Sequence, residues 1–314
     1  TDDKREQKRP WTAARFATGS YRVQNIESRE YTGDFLLKYN KKLNKDFNVT
    51  ASVGGSMLKN RYYKNEVRAD GLTEPNVYNL ENAANPLVYV PDTARFSINS
   101  FYGLLSTSYK NYLYLDITAR NDWNSTLATP FRTDNVGFFY PSANLSFIAS
   151  DYFKLPKTIS FAKLRLSASQ VGSGGTTPYR TAYLYGLASN GTYPNGSLQN
   201  PTTIPNPDLK PLKTTTYEIG ADVKLFKNRL GFDLAYYTGK TRNQILERIV
   251  DRSSGFTRQI INAGQVNNSG VELAINATPV NVSKGFKWTT FMTFSTNKNK
   301  IVALANNDTT VLLR

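Results

Sequence analysis

Strict alternation of apolar and polar residues constrains this chain more than any other feature of its sequence. Residues 101–123 are interpreted as two strands joined by a tight turn at Lys110-Asn111. In the second strand one face carries Leu113, Leu115, Ile117 and Ala119, and the other carries Tyr114, Asp116, Thr118 and Arg120. A period of two requires a strand that is apolar on one face and hydrated on the other. Soluble β-sheets and transmembrane β-barrels both satisfy this requirement.

The same pattern recurs along the chain. Further alternating segments are predicted at residues 34–39, 47–53, 138–149, 162–170, 217–226, 230–236, 266–278 and 286–296. About ten strands are expected in all, and helical periodicity is nearly absent. The intervening residues are interpreted as weakly patterned or irregular, apart from a weak strand at 14–23; they are residues 1–30, 59–95, 172–211 and 241–264.

The connections between the predicted strands alternate in length. Short connections lie near Lys42, Asn111, Lys154, Asn228 and Ser283, and longer ones lie near Tyr78, Thr129, Gly191 and Ser253. Short turns at one end and long loops at the other are typical of an up-and-down barrel in an outer membrane. A Greek-key sandwich has no such regularity. The pattern favours an all-β chain that forms part of a large antiparallel transmembrane barrel.

Composition narrows the classes of function. The chain has no cysteine and no histidine, which removes thiolate and imidazole ligands and the usual general base. A hydrolase built on carboxylates alone stays possible, but no enzyme activity and no cofactor is predicted. A net charge of +15 suggests a polyanionic neighbour, either nucleic acid or lipopolysaccharide, or simply solvated turns and rims. Because the basic residues are spread along the chain, nucleic acid is not the predicted partner.

Several sequence blocks point to one family. Asn206-Pro207-Asp208-Leu209-Lys210, followed by residues 214–216 and a strand, resembles a conserved block of SusC/RagA-type TonB-dependent outer-membrane transporters. Other blocks resemble this family in the same order, at residues 120–127, 140–142, 163–165, 226–230, 236–241, 262–264, 270–273 and 297–300. The chain departs from the family at Pro211-Leu212, where Trp-Glu is common.

The resemblance implies an architecture and partners. It implies part of a barrel of about 22 strands with a plugged lumen, located in the outer membrane among lipopolysaccharide. Such transporters import oligosaccharides or peptides, work with a SusD-like surface lipoprotein and are energised by the TonB complex. Residues 1–314 are expected to form part of one barrel domain, because nothing here resembles the plug, the TonB box, the signal peptide or the closing strands.

Two sets of residues are candidates for contact with a solute. The hydrated inner face of the wall is predicted to carry Asp116, Arg120, Lys163, Arg165, Glu218, Asp222, Lys224, Asp233 and Glu272. These charges either hydrogen-bond a plug or solute, or pair across strands and keep the wall solvated.

The second set lies in the longest loop. Tyr179, Arg180, Tyr183 and Tyr185 offer aromatic faces and a bidentate donor that suit sugars or peptides. Alternatively, these tyrosines form an interfacial aromatic belt or pack within the loop. Two other functions stay open from the sequence. One is a non-transport surface barrel, and the other is a soluble β-rich carbohydrate-binding module or carboxylate glycosidase whose apolar stripes face a protein core.

Overall fold

One antiparallel sheet accounts for most of the fold. The computed structural model describes residues 1–10, 18–188, 197–282 and 285–303. The strands are β1 (Asp2–Arg9), β2 (Ser20–Lys42), β3 (Phe47–Asp70), β4 (Val88–Tyr109), β5 (Leu113–Asn124), β6 (Gly137–Ile148), β7 (Ile159–Ser173), β8 (Gly186–Ala188), β9 (Ser197–Gln199), β10 (Thr203–Ile204), β11 (Leu212–Leu225), β12 (Leu230–Ile249), β13 (Arg258–Asn281) and β14 (Lys287–Ala303). Eleven long strands pair antiparallel in the order β1 to β7, then β11 to β14. The all-β prediction is confirmed.

The remaining elements are small. β10 pairs in parallel with β13, and β8 and β9 form a separate hairpin. The helix α1 (Ala149–Tyr152) has a single turn, and two 3₁₀ turns occupy Ser125–Leu127 and Arg252–Ser254. Within the described ranges, none of the helices has the length and apolar character needed to cross a membrane.

The predicted hairpins form at their predicted turns. Lys110 and Asn111 adopt φ values of 48° and 59°, and the Tyr112 amide donates to the Tyr109 carbonyl at 3.2 Å. Two successive residues with positive φ match the right-handed twist of the flanking strands. The Asn228 turn between β11 and β12 likewise has a φ of 63° at that residue.

Most connections alternate in length as predicted, although the connection at residues 149–158 on the short-turn side is longer than the one at residues 250–257 on the other side. The connections at residues 43–46, 110–112 and 226–229 lie at one end of the sheet, and those at 71–87, 125–136 and 174–211 lie at the other. In outer-membrane barrels the short turns are periplasmic and the long loops extracellular. The end that bears the long loops is therefore called the outer end below.

The strands extend further towards the outer end than the sequence pattern predicts. Residues 59–70 and 88–95 are paired strand rather than an irregular stretch, and in the 241–264 segment only residues 250–257 lie outside β12 and β13. Residues 2–9 also form a strand, and β2 starts at Ser20, although part of the weak strand predicted at 14–23 lies outside the described residues. On residues 59–70 both faces are mainly polar, so the alternation disappears there while the backbone ladder continues, whereas the ends of β12 and β13 carry apolar residues such as Ile245 and Ile260.

The exposure of the side chains is the reverse of that in a soluble protein. Leu164, Leu166 and Ile219 are 51%, 50% and 54% exposed, whereas the side chain of Arg165 between the two leucines is 28% exposed. Soluble proteins bury most large aliphatic side chains and expose the charged ones. Only eight hydrophobic residues in the described ranges are fully buried, and most of them lie towards the outer end rather than between the strands. The interpretation as a soluble module with a protein core is not supported.

The outward apolar band has the height of a membrane core. On β3 it runs from Phe47 to Met57 through every second residue, and the residues that alternate with these face the other side. These ten steps cover about 34 Å along the strand. At the usual tilt of about 40° this gives a band of about 26 Å, close to the height expected for an outer-membrane barrel.

Candidate functional site

The predicted wall residues all lie on the face opposite the apolar band. The register places Leu166 against Ile219 on the outward face, and Ser167 against Glu218 and Lys163 against Asp222 on the inward face. The same alternation puts the whole predicted set inward, namely Asp116, Arg120, Lys163, Arg165, Glu218, Asp222, Lys224, Asp233 and Glu272. This inward surface is called the wall.

One ion pair on the wall spans three strands. Arg165 on β7 donates from Nη1 and Nη2 to the two carboxylate oxygens of Asp233 on β12, at 3.0 and 2.8 Å. Its guanidinium crosses directly over Gly220 on β11, where a Cβ atom would lie 2.8 Å from Nη2. Glu218 and Asp222, on either side of Gly220, interact electrostatically with the same guanidinium. The bidentate pair thus depends on the absence of a side chain at Gly220.

A methyl group at residue 220 is expected to break this pair. Gly220→Ala pushes the guanidinium away from Asp233 and should lower the free energy of unfolding of the barrel by about 1 kcal/mol, a value reduced for partial exposure. Gly231→Ala is the matched control, because its Cβ would meet no atom closer than 3.8 Å. The measurement is urea unfolding of the two variants in detergent. Equal midpoints for both would contradict the proposed role of Gly220.

A second network holds Arg120. Its Nε donates to Asp122 Oδ1 at 2.7 Å and its Nη2 to Ser100 Oγ at 2.8 Å, while the Tyr140 hydroxyl donates to the other Asp122 oxygen at 2.6 Å. The guanidinium also lies 5.5 Å from the centroid of the Tyr102 ring. Arg120 is therefore engaged within the wall, as is Arg165.

The other predicted wall residues are less closely engaged. Lys224 lies with Nζ 5.2 Å from the centroid of the Phe161 ring. Asp116 is flanked by Ser106 and Asn144 on the neighbouring strands, and Glu272 is an exposed residue of β13. Their charges line the hydrated side of the sheet.

At the outer end the long loops enclose a small core. Leu127, Leu209 and Ile260 are 0%, 2% and 6% exposed and contact one another, with Phe138 and Ile245 packed around them. These residues come from the β5–β6 connection, the 174–211 loop and the strands β6, β12 and β13. This assembly is called the loop core.

Polar clamps surround the loop core, and no pattern in the sequence predicts them directly. The Asn262 side chain accepts from the Lys210 amide at 2.7 Å and donates to the Lys210 carbonyl at 2.8 Å. Arg132 donates to Asp208 Oδ1 at 3.1 Å and to the Pro207 carbonyl at 3.0 Å. The block at residues 206–210 is therefore fixed from two sides.

A buried asparagine makes the third clamp. Asn124 donates to the Gly175 carbonyl at 2.9 Å and accepts from the Thr126 amide at 3.0 Å. Thr126 in turn donates to the Gly174 carbonyl at 3.0 Å. Three of the sequence blocks noted above, at residues 120–127, 206–210 and 262–264, thus meet in one place, although they are far apart in the chain.

The predicted loop residues lie at the outer end of the sheet, as the loop core does. Arg180 Nη2 donates to Glu247 Oε1 at 3.3 Å, and Arg258 Nη1 donates to the other oxygen of the same carboxylate at 2.7 Å. These side chains line an open cavity of about 510 Å³, together with Arg252 and the aliphatic residues Ile245 and Ile249 near the end of β12. The cavity combines three arginines with one carboxylate and is therefore electropositive.

An aromatic cluster lies next to the cavity. The rings of Tyr183 and Tyr185 meet edge to face with centroids 5.3 Å apart, and Tyr183 meets Phe256 at 6.3 Å. Tyr179 is half-exposed and adopts a positive φ of 64°. The structure brings Arg180, Tyr183 and Tyr185 to the tip of the β12–β13 hairpin, a neighbour that sequence reasoning did not identify.

The distance between the aromatic cluster and the apolar band shows whether these tyrosines can form an aromatic belt at the membrane interface. Phe256 lies in the connection that follows Ile249, whereas the apolar band on β12 ends at Tyr236. Thirteen residues of strand separate the two levels, or roughly 40 Å along the strand. The aromatic cluster is thus well above the membrane interface.

The connection at residues 250–257 has a defined conformation. Asp251 accepts from the Ser253 amide at 2.8 Å, which caps the turn at Arg252–Ser254. This hydrogen bond, together with one from the Ser253 side chain, holds the pKa of Asp251 below its ordinary value. Gly255 ends the turn with a φ of 80°, and Phe256 follows it directly.

Comparison with known proteins identifies similar chains. Residues 2–311 match the family model described as TonB dependent receptor-like, beta-barrel. A TonB-dependent receptor of Formosa agariphila is 29% identical over 300 residues, covering 92% of this chain and 29% of that protein. The TonB-dependent receptor SusC of Bacteroides thetaiotaomicron is 29% identical over 223 residues, covering 68% of this chain and 22% of that protein.

The solved structure of the RagAB peptide transporter is similar in fold. It superposes with a TM-score of 0.81 at 20% identity, covering 92% of this chain and 32% of the other. The chain therefore spans less than a third of the length of these relatives.

Proposed function

This chain belongs to the TonB-dependent receptor-like β-barrel family, whose members are outer-membrane proteins and not enzymes, and we propose that it forms part of the barrel of an importer of oligosaccharides or peptides. The observation that carries the proposal is the inverted exposure of the sheet, apolar towards lipid and charged towards the lumen. A surface barrel without transport would share this polar wall, and the electropositive outer cavity with its aromatic neighbours is what favours import over that alternative.

The outer cavity is the proposed place of solute contact. The exposed rings of Tyr183 and Tyr185, beside the half-buried Phe256, offer faces and edges against which a sugar ring or an apolar side chain can pack. Arg180, Arg252 and Arg258 outnumber the single carboxylate of the cavity. Because guanidinium groups bind carboxylates in a bidentate manner, the site favours a solute that carries negative groups, such as a peptide C-terminus or an acidic sugar.

The proposed partners follow from the relatives. One similar structure is a peptide transporter named RagAB, and the resemblance to SusC/RagA-type transporters extends to a SusD-like surface lipoprotein. The long loops that enclose the loop core are the proposed surface on which such a lipoprotein would rest. Energy is proposed to come from the TonB complex, through a part of the transporter outside this chain.

Removing the two tyrosine rings is expected to weaken solute binding. The Tyr183→Ala/Tyr185→Ala variant of the full transporter should bind its solute at least tenfold more weakly, which corresponds to about 1.4 kcal/mol. Titration calorimetry in detergent, with oligosaccharides and peptides as probes, measures this change. Tyr152→Ala is the matched control, because Tyr152 is 56% exposed but lies at the short-turn end. Unchanged affinity in the double variant would remove the proposed site.

A further inference from the structure

A row of arginines crosses three neighbouring strands on the outward face. Arg29 on β2 lies directly opposite Arg61 on β3, and Arg61 lies directly opposite Arg95 on β4. All three residues are exposed, as is Lys59 one step nearer the membrane on β3. Adjacent strands are about 4.8 Å apart, so the Cα atoms of the three arginines lie within about 10 Å of one another. This set of four residues is called the arginine row.

The row lies just above the apolar band. On β3 the outward residues in sequence are Val53, Gly55 and Met57, followed at once by Lys59 and Arg61. No register shift interrupts the pairing of β2, β3 and β4 over the described residues, so the row shares the face of the band. Because the row is on the side of the long loops, it stands at the level of the lipid headgroups of the outer leaflet.

Aromatic rings mark the same level. Tyr31 pairs with Lys59 in the register, and Tyr63 follows Arg61 on the outward face of β3. Both rings are exposed, at 50% and 42%. Tyrosines are enriched at the boundary between the acyl chains and the headgroups, so their position supports the assignment of the row to the headgroup layer.

The positive charge of the row is largely uncompensated. Like charges directly opposite one another across strands are destabilising. Arg29 is bonded to Glu27 at 3.2 Å, whereas in the described part of the chain neither Arg61 nor Arg95 has an ion pair with a carboxylate. A multivalent anion bound from outside would turn this repulsion into attraction.

We propose that the arginine row binds a phosphate group of a lipid headgroup in the outer leaflet, that is, of lipopolysaccharide. The guanidinium fork matches phosphate oxygens in a bidentate manner. Two small cavities of about 180 and 290 Å³ flank Arg61 and Arg95, and provide the space for phosphate oxygens between the side chains. This site is on the lipid side of the barrel and is separate from the proposed solute site.

The test uses the full transporter, purified in detergent and freed of lipid. Binding of purified lipopolysaccharide is measured by native mass spectrometry for the wild type and for Arg29→Gln/Arg61→Gln/Arg95→Gln. We expect at least a tenfold loss of affinity in this variant, because each basic residue near a charged headgroup contributes to binding. The corresponding triple lysine variant keeps the charge but lacks the guanidinium fork, so its affinity should lie between those of the wild type and the triple glutamine variant.

Controls separate the row from general charge and from other sources of phosphate. Lys45→Gln/Lys154→Gln/Lys157→Gln removes three charges at the short-turn end and should leave the affinity unchanged. Dephosphorylated lipopolysaccharide should bind the wild type as weakly as intact lipopolysaccharide binds the triple glutamine variant. Equal affinity in the wild type and the triple glutamine variant would overturn the proposal. Displacement of lipopolysaccharide by inorganic phosphate at millimolar concentration would overturn its assignment to a lipid.

Discussion

Replacing Leu166 by arginine is expected to prevent most of the barrel from assembling in the outer membrane. Leu166 is 50% exposed near the middle of the apolar band, opposite Leu145 on β6 and Ile219 on β11. An arginine at the bilayer midplane on the lipid face of a barrel costs about 2–4 kcal/mol. The change adds no clash, since the side chain points away from the sheet, so the loss reflects the transfer of charge into lipid.

The neighbouring residue provides the control. Ser167→Arg places the same side chain on the wall, opposite Glu218, where it meets water and a carboxylate. Assembly is measured as the fraction of barrel that remains folded on a gel run without heating, after extraction from the outer membrane. We expect a marked loss for Leu166→Arg and near wild-type assembly for Ser167→Arg. The opposite ranking would mean that the two faces have been assigned the wrong way round.

Truncating Leu209 is expected to open the loops while leaving the barrel folded. Leu209 is 2% exposed in the loop core, against Leu127 and Ile260. Leu209→Ala removes buried methyl groups and leaves a cavity, at a cost of about 2–5 kcal/mol. Because the loop core is small and separate from the strands in the membrane, this loss should appear as local opening of residues 125–136 and 174–211.

Hydrogen exchange at these loop amides measures the opening. We expect faster exchange in residues 125–136 and 206–210 and unchanged exchange in β5, β7 and β11. Leu198→Ala is the matched control, because Leu198 belongs to the same long loop but is 68% exposed. If the two variants exchanged alike, the loop core would not be what holds the loops together.

The sequence predicts the membrane part of this fold well because two physical constraints act there at once. On β5, β7 and β11 one face meets lipid and the other meets water, so each residue type is decided by the face on which it lies. The tight turn at Lys110-Asn111 adds a local signal, since asparagine tolerates a positive φ. Hairpins in this zone were therefore located correctly.

Outside the membrane both faces of a strand meet water, so the residue type no longer indicates the face on which a side chain lies. Residues 59–70 of β3 carry polar side chains on both faces, for example Lys64, Asn65 and Glu66. Their strand conformation is set by pairing with β2 and β4 rather than by any pattern of their own. A polar segment held in a sheet by its neighbours cannot be distinguished from a loop in the sequence.

Individual residues of the candidate sites could be predicted from the sequence, whereas most of their contacts could not. The wall residues follow from alternation, whereas the Arg165–Asp233 pair depends on Gly220 and on the register of three strands. For the loop residues, chemistry identified Arg180, Tyr183 and Tyr185. Their neighbours Glu247 and Phe256 are more than sixty residues away in the chain and became apparent only in the structure. The arginine row similarly requires the register, because its members are about thirty residues apart.

The most direct test of the account is a scan of single cysteines along β7 in the full transporter in lipid vesicles. This chain contains no cysteine, so each introduced thiol is unique within it. Spin labels at residues 163–168 are measured for collision with oxygen, which concentrates in lipid, and with a water-soluble nickel complex. We predict that labels at 164, 166 and 168 favour oxygen and that labels at 163, 165 and 167 favour nickel. Equal access of both reagents along the strand would contradict a wall between lipid and a hydrated lumen.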